Sequence, residues 1–162
     1  MAEEAAAVAS RCQEAQETGV LNLSACGLME VPTTALYLFL KDVEVTKIDL
    51  SDNQLKRIPP KLLSTFPKVQ TLIVKNNLLT SLPKQLVDLQ CLTKIDISMN
   101  KLTAIPTLPS SSVYVDLSKN EITEIGEEEI EIISNSKEFI LVGNQLDNPS
   151  KTKIEHQNHV RV

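Results

Sequence analysis

The six residues Leu50-Ser51-Asp52-Asn53-Gln54-Leu55 form a frame to which the chain keeps returning. It comes back as Val74-Lys75-Asn76-Asn77-Leu78-Leu79, as Ile97-Ser98-Met99-Asn100-Lys101-Leu102, as Leu117-Ser118-Lys119-Asn120-Glu121-Ile122 and as Leu141-Val142-Gly143-Asn144-Gln145-Leu146. An earlier copy, Leu23-Ser24-Ala25-Cys26-Gly27-Leu28, carries Cys where the others carry Asn. From Cys26 through Asn53, Asn77, Asn100, Asn120 and Asn144 the steps are 27, 24, 23, 20 and 24 residues. A fixed period of this size marks a chain built from stacked units, because one such unit cannot bury its apolar face alone.

Each copy reads physically. Two residues ahead of it stands Leu21, Ile48, Leu72, Ile95, Val115 or Phe139, so the approach alternates apolar and polar with period 2, a short strand with one buried face. The Asn follows in a turn between apolar residues. Its amide both donates and accepts, and buried it must find partners for both, which a column of stacked turns supplies. Cys26 suits the same slot because a thiol buries easily. Beyond the last apolar position comes Val31, Ile58, Leu82, Ile105 or Ile125, then Pro32, Pro59, Pro83 or Pro106, with Gly126 breaking the series. Proline there presets φ for a return segment and loses no needed N–H.

The pattern resembles the leucine-rich repeat, LxxLxLxxNxLxxLP, in its typical form of about 24 residues. The resemblance runs from Leu21 to Leu146 in six copies. It implies an α/β solenoid with a short parallel sheet on the concave face and short helices or 3-10 turns on the convex face. The N-terminal helix, the Cys26 first repeat followed by Val31-Pro32 and the 27-residue step to Asn53 resemble the layout of one small vertebrate member of that superfamily, which implies an intracellular interaction module without defined catalysis and transfers no site residue.

The return segments differ. Thr33–Lys41 and Lys84–Leu89 read as helical, Lys61–Phe66 as a helical turn stopped by Pro67, and Glu127–Ile133 as a turn or two with Ile130 and Ile133 inward. Thr107–Ser112, interrupted by Pro109, is too short for a helix. Ala5, Val8, Cys12 and Ala15 recur at helical spacing before Thr18-Gly19, which makes 1–18 a capping helix over the end of the core. The repeat domain is then 19–149, closed by Asp147-Asn148-Pro149, and the polar residues 150–162 are expected to form a flexible tail. The ending His159-Val160-Arg161-Val162 has the alternation of a strand that adds to a PDZ-type groove, a pattern that chance also supplies.

Composition narrows the function. At 162 residues, 42% hydrophobic and 23% charged, the chain suits one domain with a core, and 3% aromatic content without Trp makes that core aliphatic. A net charge of −5 argues against nucleic acid as a partner, and no window is apolar enough to span a membrane. The acidic start Met1-Ala2-Glu3-Glu4 does not read as a secretory signal, and Cys12, Cys26 and Cys91 form no disulfide or zinc pattern. A cytoplasmic protein is expected, with nuclear access left open. Residues 41–101 carry ten Lys or Arg against six acids, between acidic flanks. Catalysis and cofactors are not expected: His156 and His159 lie in the tail, no Gly-rich phosphate loop occurs, and an open sheet gives Asp96 and Asp116 no cleft to tune them.

If the strand aliphatics point inward, three outward columns line the concave face. The middle one is Asn22, Asp49, Ile73, Asp96, Asp116 and Ile140; before it stand Val20, Lys47, Thr71, Lys94, Tyr114 and Glu138; after it Ser24, Ser51, Lys75, Ser98, Ser118 and Val142. Lys94, Lys75 or Lys119 is expected to relieve repulsion between Asp96 and Asp116. The partner-binding candidates are Lys47, Asp49, Ile73, Lys75, Lys94, Asp96, Met99, Tyr114, Asp116 and Lys119, with Tyr114 the best anchor. The expected partner is a protein and the expected state a monomer. Self-association through the solenoid ends, or an adaptor role for a signalling enzyme such as a phosphatase, GTPase or ubiquitin ligase, are the alternatives.

Overall fold

A computed structural model describes residues 2–162. Seven strands lie side by side in chain order, all parallel: β1 Val20–Asn22, β2 Lys47–Asp49, β3 Thr71–Ile73, β4 Lys94–Asp96, β5 Tyr114–Asp116, β6 Glu138–Ile140 and β7 Val160–Arg161. Parallel neighbours need a crossover, and here every repeat is one crossover. In β1 to β6 the middle residue is buried and its two neighbours face outward, so Leu21, Ile48, Leu72, Ile95, Val115 and Phe139 enter the core. The core is aliphatic throughout its length, with Phe66 and Phe139 as its buried aromatic rings.

After each strand the chain turns through a left-handed residue. Ala25, Asp52, Asn76, Met99 and Lys119 have φ between +52° and +57°, and Gly143 has +80°. Each immediately precedes Cys26 or a column Asn. The return segments are α2 Thr33–Leu40, α3 Pro60–Thr65, a 3-10 turn at Lys84–Asp88 and α4 Glu127–Asn135, with turns alone between Pro106 and Ser112. Pro32, Pro59 and Pro83 cap the first three, and Gly126 takes that place before α4 with an ordinary φ of −77°.

Helix α1, Ala2–Thr18, covers the N-terminal end, burying Val8, Cys12 and Ala15 against β1 and α2. Burial pushes the Cys12 thiol pKa up, which keeps it a neutral apolar group. Gly19 then turns with φ +68°; a Cβ there would lie 2.9 Å from the Glu44 carbonyl oxygen, so glycine is required.

The flexible tail read from the sequence is ordered instead. Residues 148–154 form α5, Asn148–Ile154, and β7 extends the sheet beyond β6. Asp147 caps α5 by accepting the Ser150 N–H at 2.8 Å, while the Ser150 hydroxyl oxygen accepts the Ile125 N–H at 2.8 Å. Lys153 donates to the Ile125 carbonyl at 2.9 Å and pairs with Glu127 at 2.8 Å, and Arg161 pairs with Glu138 at 2.6 Å. A polar segment with Ile154 and Val160 as its main apolar contacts carries almost no periodic signal; it is held by polar atoms that α4 and β6 present. The strand at the C-terminal end therefore adds to the chain's own sheet.

Candidate functional site on the concave sheet

The strand register builds the outward columns. Val20, Lys47, Thr71, Lys94, Tyr114 and Glu138 are paired in succession, as are Asn22, Asp49, Ile73, Asp96, Asp116 and Ile140. β7 adds a seventh member, Arg161, beside Ile140 in the middle column. Asp96 and Asp116 are direct register partners.

The charge arrangement differs from the sequence expectation. Among the described residues neither Asp96 nor Asp116 has a lysine within ion-pair distance. Each is instead tied to its own chain two residues on. Asp96 Oδ1 accepts the Ser98 N–H at 3.0 Å and hydroxyl at 2.6 Å; Asp49 does the same with Ser51 at 2.9 and 2.7 Å; Asp116 accepts the Ser118 N–H at 2.9 Å. Asn22 holds Ser24 in the same way. These bonds are local side-chain turns that lock the strand's exit. The signal is legible afterwards: Asn22-Leu23-Ser24, Asp49-Leu50-Ser51, Asp96-Ile97-Ser98 and Asp116-Leu117-Ser118 share an Asx-x-Ser spacing. Strands β3 and β6 lack it and present Ile73 and Ile140 in its place.

Lys94 and Tyr114 are register partners in the first column, Lys47 stands one strand further, beyond Thr71, and Lys75 is exposed in the third. Tyr114 is 44% exposed over a depression of about 200 Å³ shared with Lys94, Asp96, Asp116, Glu138 and Ile140. Met99 and Lys119 do not lie on the strands. They occupy the left-handed turn at the rim, one step past the third column, because that turn precedes the Asn.

The Asn column sits behind this face. Asn53, Asn77, Asn100 and Asn120 are buried. Each donates through Nδ2 to carbonyls of its own turn and to one in the preceding repeat, and accepts through Oδ1 an N–H of the preceding repeat. Asn144 repeats the pattern toward Leu117 and Ile122. Cys26 only approaches the Ser24 carbonyl at 3.5 Å. Among the described residues no three His, Cys, Asp or Glu side chains converge as metal ligands, and no helix is long and apolar enough to cross a membrane.

The family model for the leucine rich repeat matches residues 43–102. The mouse leucine-rich repeat and calponin homology domain-containing protein 1 is 39% identical over 95 residues, 58% of this chain and 13% of that protein. Human leucine-rich repeat-containing protein 20 is 33% identical over 94 residues, 56% of this chain and 50% of that protein. A leucine-rich repeat protein of Leptospira interrogans superposes with a TM-score of 0.70 at 28% identity, covering 84% of this chain and 34% of that one. The matches thus span half or less of these proteins' lengths. With the repeats, the stacked sheet and the Asn column, they show that the chain has the leucine-rich repeat fold.

Proposed function

We propose that this protein is a non-enzymatic interaction module that holds a protein partner on its concave sheet. The observation that carries this reading is the register that sets Tyr114 between Lys94 and Glu138, half exposed, over a shallow depression rather than a cleft. An aromatic ring beside fixed charges of both signs is a suitable anchor for a protein surface. The Asp-to-Ser bonds preorganise the middle column, so its carboxylates lose little freedom when a partner binds. The three cysteines are free thiols, Cys12 fully buried, which suits a reducing compartment such as the cytoplasm.

Proximity labelling in cells, followed by pull-down with variants, tests this reading. Tyr114→Ala is expected to weaken capture by about 2 kcal/mol or more, and Lys94→Glu to weaken it too, with melting unchanged. Normal capture by both folded variants removes the concave face from the function. A concentration-independent monomer mass is expected alongside, and excludes self-association through the solenoid ends.

A further inference from the structure

We propose that the groove between α1 and α2 is a second docking surface, and that its occupant is a basic amphipathic helix of a partner protein. It lies over the N-terminal cap, away from Tyr114. Ala5, Val8 and Ala9 form one wall and Pro32, Ala35 and Phe39 the other, around about 460 Å³. That volume falls within the roughly 300–1,000 Å³ typical of ligand-holding clefts.

Among the described residues the groove is apolar and uncovered. Phe39 is 43% exposed, and Leu38, on the same face of α2 as Ala35, is 68% exposed. Both helices already bury a core face, through Val8, Cys12 and Ala15 on one and Leu36 and Leu40 on the other. Phe39 and Leu38 are therefore surplus to the core. The small alanines leave the cleft open, and the Gln16 side chain donates to the Phe39 carbonyl at 2.9 Å, holding the two helices at a fixed separation. A preformed apolar cleft of this shape takes the i, i+3, i+4 side chains of a helix.

Charge selects the occupant. The ionisable residue lining the groove is Glu4. Helix α1, which builds one wall, has four Glu against one Arg, and that Arg11 faces Glu14 at 3.6 Å; α2, which builds the other, has no charged residue. Lys or Arg flanking the apolar anchors is attracted to such walls. A second copy would bring like charge against like, an anionic membrane would be repelled, and the chain's own C-terminal segment is seated on β6 at the other end of the solenoid.

The full chain is titrated against a fluorescent Leu/Lys amphipathic helical peptide of about five turns and against its Leu/Glu counterpart, by anisotropy. The Leu/Lys peptide is expected to bind at least about tenfold more tightly. Ala35→Glu, which fills the groove while adding negative charge, is expected to weaken that binding at least about tenfold, and Glu4→Lys to narrow the preference between peptides. Ala9→Glu, on the opposite wall, repeats the test if Ala35→Glu lowers the melting temperature. Undetectable binding, equal binding of the two peptides, or Leu/Lys binding that Ala35→Glu leaves intact or strengthens overturns the proposal, since diffuse attraction alone grows with added acid. A concentration-dependent dimer abolished by Ala35→Glu, or adsorption to anionic vesicles lost in that variant, also overturns it in favour of those occupants.

Discussion

Asn77 reaches back one repeat to accept the N–H of Leu55 at 3.0 Å, and the same amide donates to the carbonyl of Leu50 at 2.9 Å. The column is thus directional: each Asn serves the repeat before it. This explains Cys26. Helix α1, not a repeat, packs on that side of it, so its slot needs a small half-buried group and no amide.

Asn77→Ala should destabilise the protein by about 2–4 kcal/mol, because the Leu55 N–H and Leu50 carbonyl are left buried without partners. Cys26→Ala, which strands no cross-repeat group, should cost less than about 1 kcal/mol. Urea unfolding of both variants checks this. Equal losses would contradict the directional column.

Met99, like Ala25 and Lys119, is poorly suited to its left-handed turn, since φ +57° crowds its Cβ and it has no short polar side chain to bond locally. Met99→Gly should raise stability by about 0.5–1 kcal/mol. Gly143→Met should lower it, because φ is +80° and a Cβ would sit 3.2 Å from Lys119 Cγ. Thermal melts of the two variants should therefore shift in opposite directions.

The cap on α5 should respond to acid. The Ser150 hydroxyl and N–H, helped by Lys153 and Lys151, hold the Asp147 carboxyl below its usual range. A depressed folded-state pKa means that the stabilisation is complete above the unfolded carboxylate pKa and is lost as pH falls through the folded value. The protection factor of the Ser150 amide, which corrects for the intrinsic slowing of exchange in acid, should fall on acidification. Asp147→Asn keeps an accepting oxygen and should abolish that fall.

The strand positions, the outward columns and the return helices were legible because a strand with one buried face and a short amphipathic turn each write a period into the chain, and six copies repeat it. The Asx-x-Ser spacing is equally present in the chain, but outward polar residues look alike in a sequence whether or not they bond one another. Asp96 and Asp116 illustrate the difficulty: sequence shows two carboxylates adjacent in one column and nearby lysines, but not that Ser98 and Ser118 satisfy those carboxylates at shorter range than any lysine. Met99 and Lys119 look like strand extensions until the backbone places them at positive φ.

From its sequence alone the chain was committed to a stacked aliphatic coil with a column of Asn behind a polar sheet, because period, burial and amide satisfaction are local demands repeated in every unit. Tertiary structure alone decided the fate of residues 148–162 and the open groove between α1 and α2. Ser150, Lys153 and Arg161 find partners in Ile125, Glu127 and Glu138, at least 23 residues away, and Ala9 meets Ala35 across a cleft. Such contacts leave no periodic trace, since they join residues that only the winding of the solenoid brings together.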